Sequence, residues 1–257
     1  MKNLVQKILN QFLGIEIRRI GSKRRGGVIT YDQLGKHLTC ERGSAEWLIN
    51  KEILFGGFVK NVERRKVSSY DPRPEAQIQK GGMTGGDRMY HHGYAQAYSM
   101  HISPFLPSSD ITLVEVGILK GTGLAIWSEL FPNGRIIGLD IDLSHTRNNL
   151  ENLKRRGAFS RRLPELYEFD QFVDNNSKLE SILNGQKINI FIDDGFHSDE
   201  SILTTFQSVL NHLAQDFVCF IEDNDQVHTL LAQRYPEFTV LSYDRLTVIK
   251  SKSENPD

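Results

Sequence analysis

Leu113-Val114-Glu115-Val116-Gly117-Ile118-Leu119-Lys120-Gly121-Thr122-Gly123 is the stretch on which the fold turns. Ile111 to Val116 is a buried-strand run, the glycines break it, and Gly123 to Phe131 is a helical stretch. Three more strand runs follow, Ile136 to Leu139, Lys187 to Ile192 and Phe217 to Ile221. Helical stretches accompany them: Ser144 to Arg156, Ser177 to Leu183 and Ser198 to Ala214. A poorly marked strand should end near Phe169-Asp170-Gln171. Strands alternating with helices mean βαβ units and a parallel sheet covered on both faces. The tail differs, because Phe238 to Tyr243 and Leu246 to Lys250 are joined only by Asp244 and Arg245. So short a link forces an antiparallel hairpin. The predicted class is α/β: a doubly wound, mostly parallel, seven-stranded sheet ending in an antiparallel hairpin.

Upstream the pattern is mixed. Thr30 with Gln33 reads as a capping box, and Ala45 to Leu54 as a short helix. Phe55-Gly56-Gly57-Phe58 is a turn, Asp71-Pro72-Arg73-Pro74 breaks regularity, and Gly81, Gly82, Gly85 and Gly86 mark a loop. A boundary near residue 75 therefore separates a mainly helical accessory region, 1–75, from the α/β domain, 76–257. Residues 1–25 hold seven basic side chains and the single acid Glu16, a charge of +6 that leaves −7 on the rest. Leu4, Val5, Ile8, Leu9, Phe12 and Leu13 form one apolar stripe there. This basic helix is expected to pack on its own domain or on a second subunit, making a homo-oligomer, or to rest on an anionic membrane surface. Lys7 and Gln11 interrupt any signal-peptide core, and no small-residue cleavage site follows.

Composition narrows the class. Of 257 residues, 39% are hydrophobic and 25% charged, with a net charge of −1. No global field draws such a chain to nucleic acid, so no nucleic-acid partner is expected. Cys40 and Cys219 are too few for a disulfide framework or a four-cysteine zinc site. No apolar run approaches eighteen residues. A cytoplasmic enzyme or binding domain is expected, with peripheral contact at the inner membrane surface as the extension that residues 1–25 suggest.

In an open parallel sheet, ligands sit outside the carboxyl ends of the strands. The first end carries Gly117, Gly121, Thr122 and Gly123, spaced G-x-x-x-G-x-G rather than the G-x-G-x-x-G that seats a pyrophosphate. Glu115, two residues before the first glycine, suits a cationic ligand; S-adenosylmethionine has a sulfonium and an amino group and no phosphate. Asp140 ends the second strand 23 residues past Gly117, near the interval at which an acid meets a ribose diol. Asp142 is a further contact or the cap of the helix at Ser144. Asp170 could accept from an adenine amino group. The fourth strand runs into Ile192-Asp193-Asp194-Gly195-Phe196-His197 and the fifth into Ile221-Glu222-Asp223-Asn224-Asp225. Carboxylates crowded at one edge repel unless a cation or protons neutralise them. A hard divalent ion on Asp194 and Asp223 would relieve that, with Glu222 a further candidate ligand and His197 close by. The alternative is helix-capping acids and a surface histidine. The other seven histidines, including His91 and His92, show no comparable setting.

These pieces together resemble the metal-dependent sugar O-methyltransferases of the mycinamicin and tetracenomycin type, which have the Rossmann-like class I methyltransferase fold. The resemblance rests on Leu113 to Gly117, Ile137 to Asp142, Phe169 to Gln171, Ile192 to His197 and Ile221 to Asp223. Upstream, Thr84-Gly85-Gly86-Asp87, His92-Gly93-Tyr94 and Tyr98 look like the family's Thr-Asp-Lys and His-x-Tyr segment. Gly85 and Gly86 stand where the family has Asp-Lys, and Phe196 where a small residue is common. The resemblance implies magnesium on Asp194 and Asp223, His197 as general base, and S-adenosylmethionine as methyl donor to a hydroxyl of a saccharide-containing acceptor. A catechol or phenol methyltransferase and a non-catalytic S-adenosylmethionine-binding protein remain as alternatives; the absent G-x-G-x-x-G and the terminal hairpin argue against a nicotinamide-dependent oxidoreductase.

Overall fold

The structure, a computed structural model, describes residues 40–56, 62–63, 74, 76, 82–83 and 85–252. The basic helix expected within residues 1–25, the Thr30–Gln33 capping box, residues 71–73 and Thr84 lie outside these residues. The first described helix, α1 (Ala45–Phe55), starts where Ser44 Oγ accepts the Trp47 N–H at 3.2 Å and stops at Gly56. A two-residue antiparallel pair, β1 (Val62–Glu63) with β2 (Gly82–Met83), precedes α2 (Ala95–Ile102). Then come β3 (Thr112–Val116), α3 (Thr122–Leu130), β4 (Arg135–Asp140), α4 (Ser144–Arg155), β5 (Glu165–Glu168) and α5 (Asn176–Leu183). The chain continues through β6 (Ile188–Asp193), α6 (Asp199–Val209), β7 (Leu213–Ile221), α7 (Val227–Arg234), β8 (Phe238–Tyr243) and β9 (Leu246–Ser251).

The seven-stranded sheet has the order β5-β4-β3-β6-β7-β9-β8. β3 to β7 are parallel; β9 runs antiparallel to both β7 and β8. Side chains alternate across it. Leu113, Ile190, Ile192, Val218 and Phe220 meet α1, α2 and α3 on one face. Val114, Phe191, Cys219 and Ile221 meet α5, α6 and α7 on the other. This period of two explains why the inner strands read as continuous apolar runs.

Three elements differ from the sequence reading. The weakly marked strand is β5, an edge strand whose residues are half-buried or exposed, so no apolar run announces it. α6 stops at Val209, short of Ala214, because Leu210–His212 tighten into a 3₁₀ turn and Leu213 pairs with Ile188. α7 buries only Val227 and Leu231, too little periodicity to be seen in advance.

α1 packs on α2 and α3, and Leu48, Leu54 and Phe55 belong to the same core as Trp127 and Leu124. Glu52, buried in that interface, accepts the Met89 and Tyr90 N–H groups at 2.9 and 3.0 Å. Contacts thus cross the boundary expected near residue 75.

Candidate active site

Pairing across the sheet is level at its carboxyl edge. Val116 lies opposite Leu139 and Asp193, and Asp193 opposite Ile221. The next residues, Gly117, Asp140, Asp194 and Glu222, therefore stand side by side. Gly117 has φ +83°, and a Cβ there would lie 2.0 Å from the Asp194 carbonyl oxygen. The crowding at Gly117 comes from the neighbouring strand end of the chain itself.

One cleft of about 260 Å³ runs along this edge. Every predicted site residue lines it except Gly121 and Glu222. At its glycine-loop end, Asp140 accepts the Leu119 and Asp142 N–H groups, each at 3.0 Å, which ties β4 to the loop after β3. Asp142 accepts the Ser144 N–H at 2.9 Å just before α4, whose N-cap is Leu143. Asp170 lies two residues beyond β5 and accepts the Phe172 N–H at 3.0 Å. Thr122 opens α3 with its Oγ1 buried and, among the described residues, without a hydrogen-bond partner. A buried hydroxyl without a protein partner, set in the cleft wall, can bond a ligand's polar atom, so the residues present fit a polar cofactor such as S-adenosylmethionine.

At the other end, Asp194, His197 and Asp223 each offer one atom within 4.8 Å of the others. His197 and Asp223 both adopt the left-handed region, at φ +67° and +57°. Such backbone costs of order 1 kcal/mol or more for a non-glycine residue and is found disproportionately at functional sites. His197 Nδ1 sits 3.1 Å from the Glu222 carbonyl oxygen, which favours the tautomer with the proton on Nδ1. Its Nε2 then has a lone pair, 4.0 Å from Asp194 Oδ1. Asp223 Oδ1 accepts the Tyr94 hydroxyl at 2.8 Å. Burial and the Asp223 carboxylate push the Tyr94 phenol upward, so it stays protonated and donating. Two hard carboxylates, each oriented by a protein partner, fit a divalent cation, with the imidazole beside them.

Two of the predicted residues are committed to protein partners. At the cleft wall, Glu115 Oε1 takes Arg88 Nη2 at 2.6 Å and its Oε2 takes Trp127 Nε1 at 3.0 Å. Glu222 is buried against Arg88 Nε at 2.5 Å and the Tyr98 hydroxyl, apart from the Asp194–His197–Asp223 group. Burial pushes both carboxyls upward, and Arg88 opposes that shift in each.

Arg88 is the residue that sequence reading missed. Its side chain is 7% exposed and also reaches Asp194 Oδ2 at 2.8 Å. A signal was present, because Asp87-Arg88 is an acid–cation pair two residues past the glycines set against the family's Asp-Lys. His92 corrects a second expectation. Its ring lies 3.5 Å from Asp87 Oδ2 and 3.7 Å from Asp223 Oδ1, beside the site rather than on an indifferent surface. Gln171 was also overlooked: it donates to Asp193 Oδ1 and accepts the Phe196 N–H, both at 2.8 Å, bridging the loops after β5 and β6.

No family model matches the chain. Over 148 residues, 54% of its length, it is 26% identical to the 8-demethyl-8-alpha-L-rhamnosyl tetracenomycin-C 2'-O-methyltransferase of Streptomyces olivaceus. Among solved structures it is similar to the MycE methyltransferase from the mycinamycin biosynthetic pathway in complex with Mg, SAH and mycinamycin VI. That match has a TM-score of 0.51 at 19% identity, over 65% of this chain and 52% of that one. MycE with Mg and SAH alone gives 0.50 at 18% identity, with the same coverage. This is the class I methyltransferase fold. The chain spans about a third of the curated relative (35%) and about half of MycE (52%). Within the class I methyltransferase fold, the glycine loop after β3 and the acids after β6 and β7 share the cleft described above.

Proposed function

We propose that the protein is an S-adenosylmethionine-dependent O-methyltransferase that uses a divalent cation, Mg²⁺ in the first instance, and methylates a hydroxyl of a saccharide-containing acceptor. The observation that carries this is that one cleft joins the Gly117–Thr122 loop and Asp140 to Asp194, His197 and Asp223. Similarity to a rhamnosyl 2'-O-methyltransferase supports the sugar, and similarity to a Mg- and SAH-bound enzyme supports both cofactors.

On this reading Asp140 accepts from the ribose hydroxyls, the Thr122 hydroxyl bonds a polar atom of the cofactor, and Asp170 lies at the adenine end. Asp194 and Asp223 hold the cation, which supplies Lewis acidity, while S-adenosylmethionine supplies an electrophilic methyl carbon. His197 Nε2 removes the acceptor hydroxyl proton as the new C–O bond forms and the C–S bond breaks, leaving S-adenosylhomocysteine. His197 Nδ1, turned to the Glu222 carbonyl, keeps the imidazole in the basic tautomer.

One observation favours a second acceptor class. Phe172 and Phe196 meet edge to face, centroids 4.8 Å apart at 75°, and both line the cleft. Such an apolar wall suits a catechol or other phenol. The test has two stages. Calorimetric titration should give tighter binding of S-adenosylmethionine than of NAD; the reverse order sinks the class. Methyl transfer from labelled S-adenosylmethionine is then compared on rhamnosides and on catechols, with Mg²⁺ and with EDTA. Turnover on catechols alone would replace the sugar, and full turnover in EDTA would remove the cation.

A further inference from the structure

Among the described residues Arg88 is the one cation that reaches the three acids ending β3, β6 and β7, hydrogen-bonded to Glu115 and Asp194 and ion-paired with Glu222. Nη2 is shared between Glu115 Oε1 at 2.6 Å and Asp194 Oδ2 at 2.8 Å, and Nε lies 2.5 Å from Glu222 Oε1. The guanidinium carbon sits 5.8 and 5.6 Å from the ring centroids of Tyr98 and Trp127. Gly123 makes room, since a Cβ there would lie 2.2 Å from Glu115 Oε1 and 2.8 Å from Arg88 Nη1.

We propose that Arg88 is a positioning residue that leaves Asp194 one oxygen for a divalent cation and keeps Glu222 out of the ligand set. The proposal deepens the metal-dependent reading and rests on it. With Oδ2 bound to Arg88, Asp194 turns Oδ1 toward His197 Nε2. Tyr94 does the same for Asp223 by occupying its Oδ1. Each carboxylate therefore has one oxygen committed to the protein. Glu222 Oε1 is taken by both Tyr98 and Arg88, and its side chain is 2% exposed. A guanidinium fork can serve three carboxylates in fixed directions; an ammonium is a point charge and cannot. Partners behind a metal's ligands typically set 10- to 100-fold in affinity.

The test is Mn²⁺ binding to full-length protein by electron paramagnetic resonance, with melting temperature and S-adenosylmethionine affinity measured beside it. Arg88→Lys should keep S-adenosylmethionine affinity within about threefold and lose about 10- to 100-fold in Mn²⁺ affinity. Glu222→Gln should weaken Mn²⁺ less than Asp194→Asn does. A Lys variant that melts lower but binds Mn²⁺ as the wild type does would make Arg88 merely structural and overturn the proposal. Glu222→Gln matching Asp194→Asn would overturn it too, and decides the matter if the Lys variant does not fold. Wild-type protein with no Mn²⁺ site overturns this proposal together with the metal-dependent reading; the other two outcomes leave that reading standing.

Discussion

Asp223 and His197 combine chemistry with backbone held at positive φ, which sets how their substitutions should be read. Asparagine tolerates the left-handed region, so Asp223→Asn removes a charge with little change in backbone cost. Asp223→Asn and Asp194→Asn should each lower activity, with partial recovery in excess Mg²⁺, measured as rate against metal concentration. His197→Ala should leave Mn²⁺ and S-adenosylmethionine binding nearly intact while turnover falls by about 10² to 10⁴; unchanged turnover with chemistry rate-limiting would remove the base. Asp140→Ala should weaken S-adenosylmethionine by about 10- to 150-fold in calorimetry, the value of a charged hydrogen bond. At this scale the acids were legible because they follow apolar strand runs, where charge is conspicuous. Arg88 was not. Its three partners lie 27, 106 and 134 positions away, and the offset of Asp87-Arg88 from the family's Asp-Lys does not by itself tell a buried cation from a surface one.

The strand ends stay level because packing and pairing agree from β4 to β7, and Arg135 shows how that is secured. From the start of β4 it forms a two-pronged pair with Glu165 of β5, at 3.0 and 2.7 Å. It also donates to the Ile182 and Leu183 carbonyls, at 2.7 and 3.2 Å, where α5 ends. Hydrogen bonding to Arg135 holds the Glu165 carboxyl below its ordinary value of 4.5. A carboxyl lowered on folding contributes stability above its unfolded pKa and loses it as pH falls through the folded one. Urea titrations should therefore show Glu165→Gln less stable than wild type by about 1 kcal/mol near neutrality, the pair being partly exposed. The gap should close as pH drops below 4.5; a gap independent of pH would mean the pair adds nothing through charge. Inner strands were legible as apolar runs, and the hairpin from its two-residue link. β5 and the end of α6 were not, because an edge strand lacks the run and a helical pattern does not reveal where pairing with β6 captures Leu213.

Taken whole, the molecule carries contacts across the boundary that composition suggests. α1 lies upstream of residue 75, yet it buries Leu48, Leu54 and Phe55 in the main core and holds Met89 and Tyr90 through Glu52. Each large apolar side chain is worth about 1.5–3 kcal/mol, against a total stability of about 5–15 kcal/mol. A chain of residues 76–257 should therefore lose cooperative melting, whereas residues 40–257 should keep it; equal melting temperatures would restore the boundary near 75. Among the described residues, no helix is long and apolar enough to cross a membrane. The charge of +6 on residues 1–25 supports our proposal of an anionic surface or a second subunit for that segment. Deleting it should reduce retention on anionic liposomes or change the oligomer's size in light scattering, and no change in either would discard the idea. The place of Arg88 in the chain also bears on how the protein is made. During synthesis the N-terminal portion leaves the ribosome first, so the guanidinium is in place before Glu115, and long before Asp194 and Glu222. The anions leave the ribosome one at a time after their counter-ion, and a circular permutant beginning at residue 95 would reverse that order.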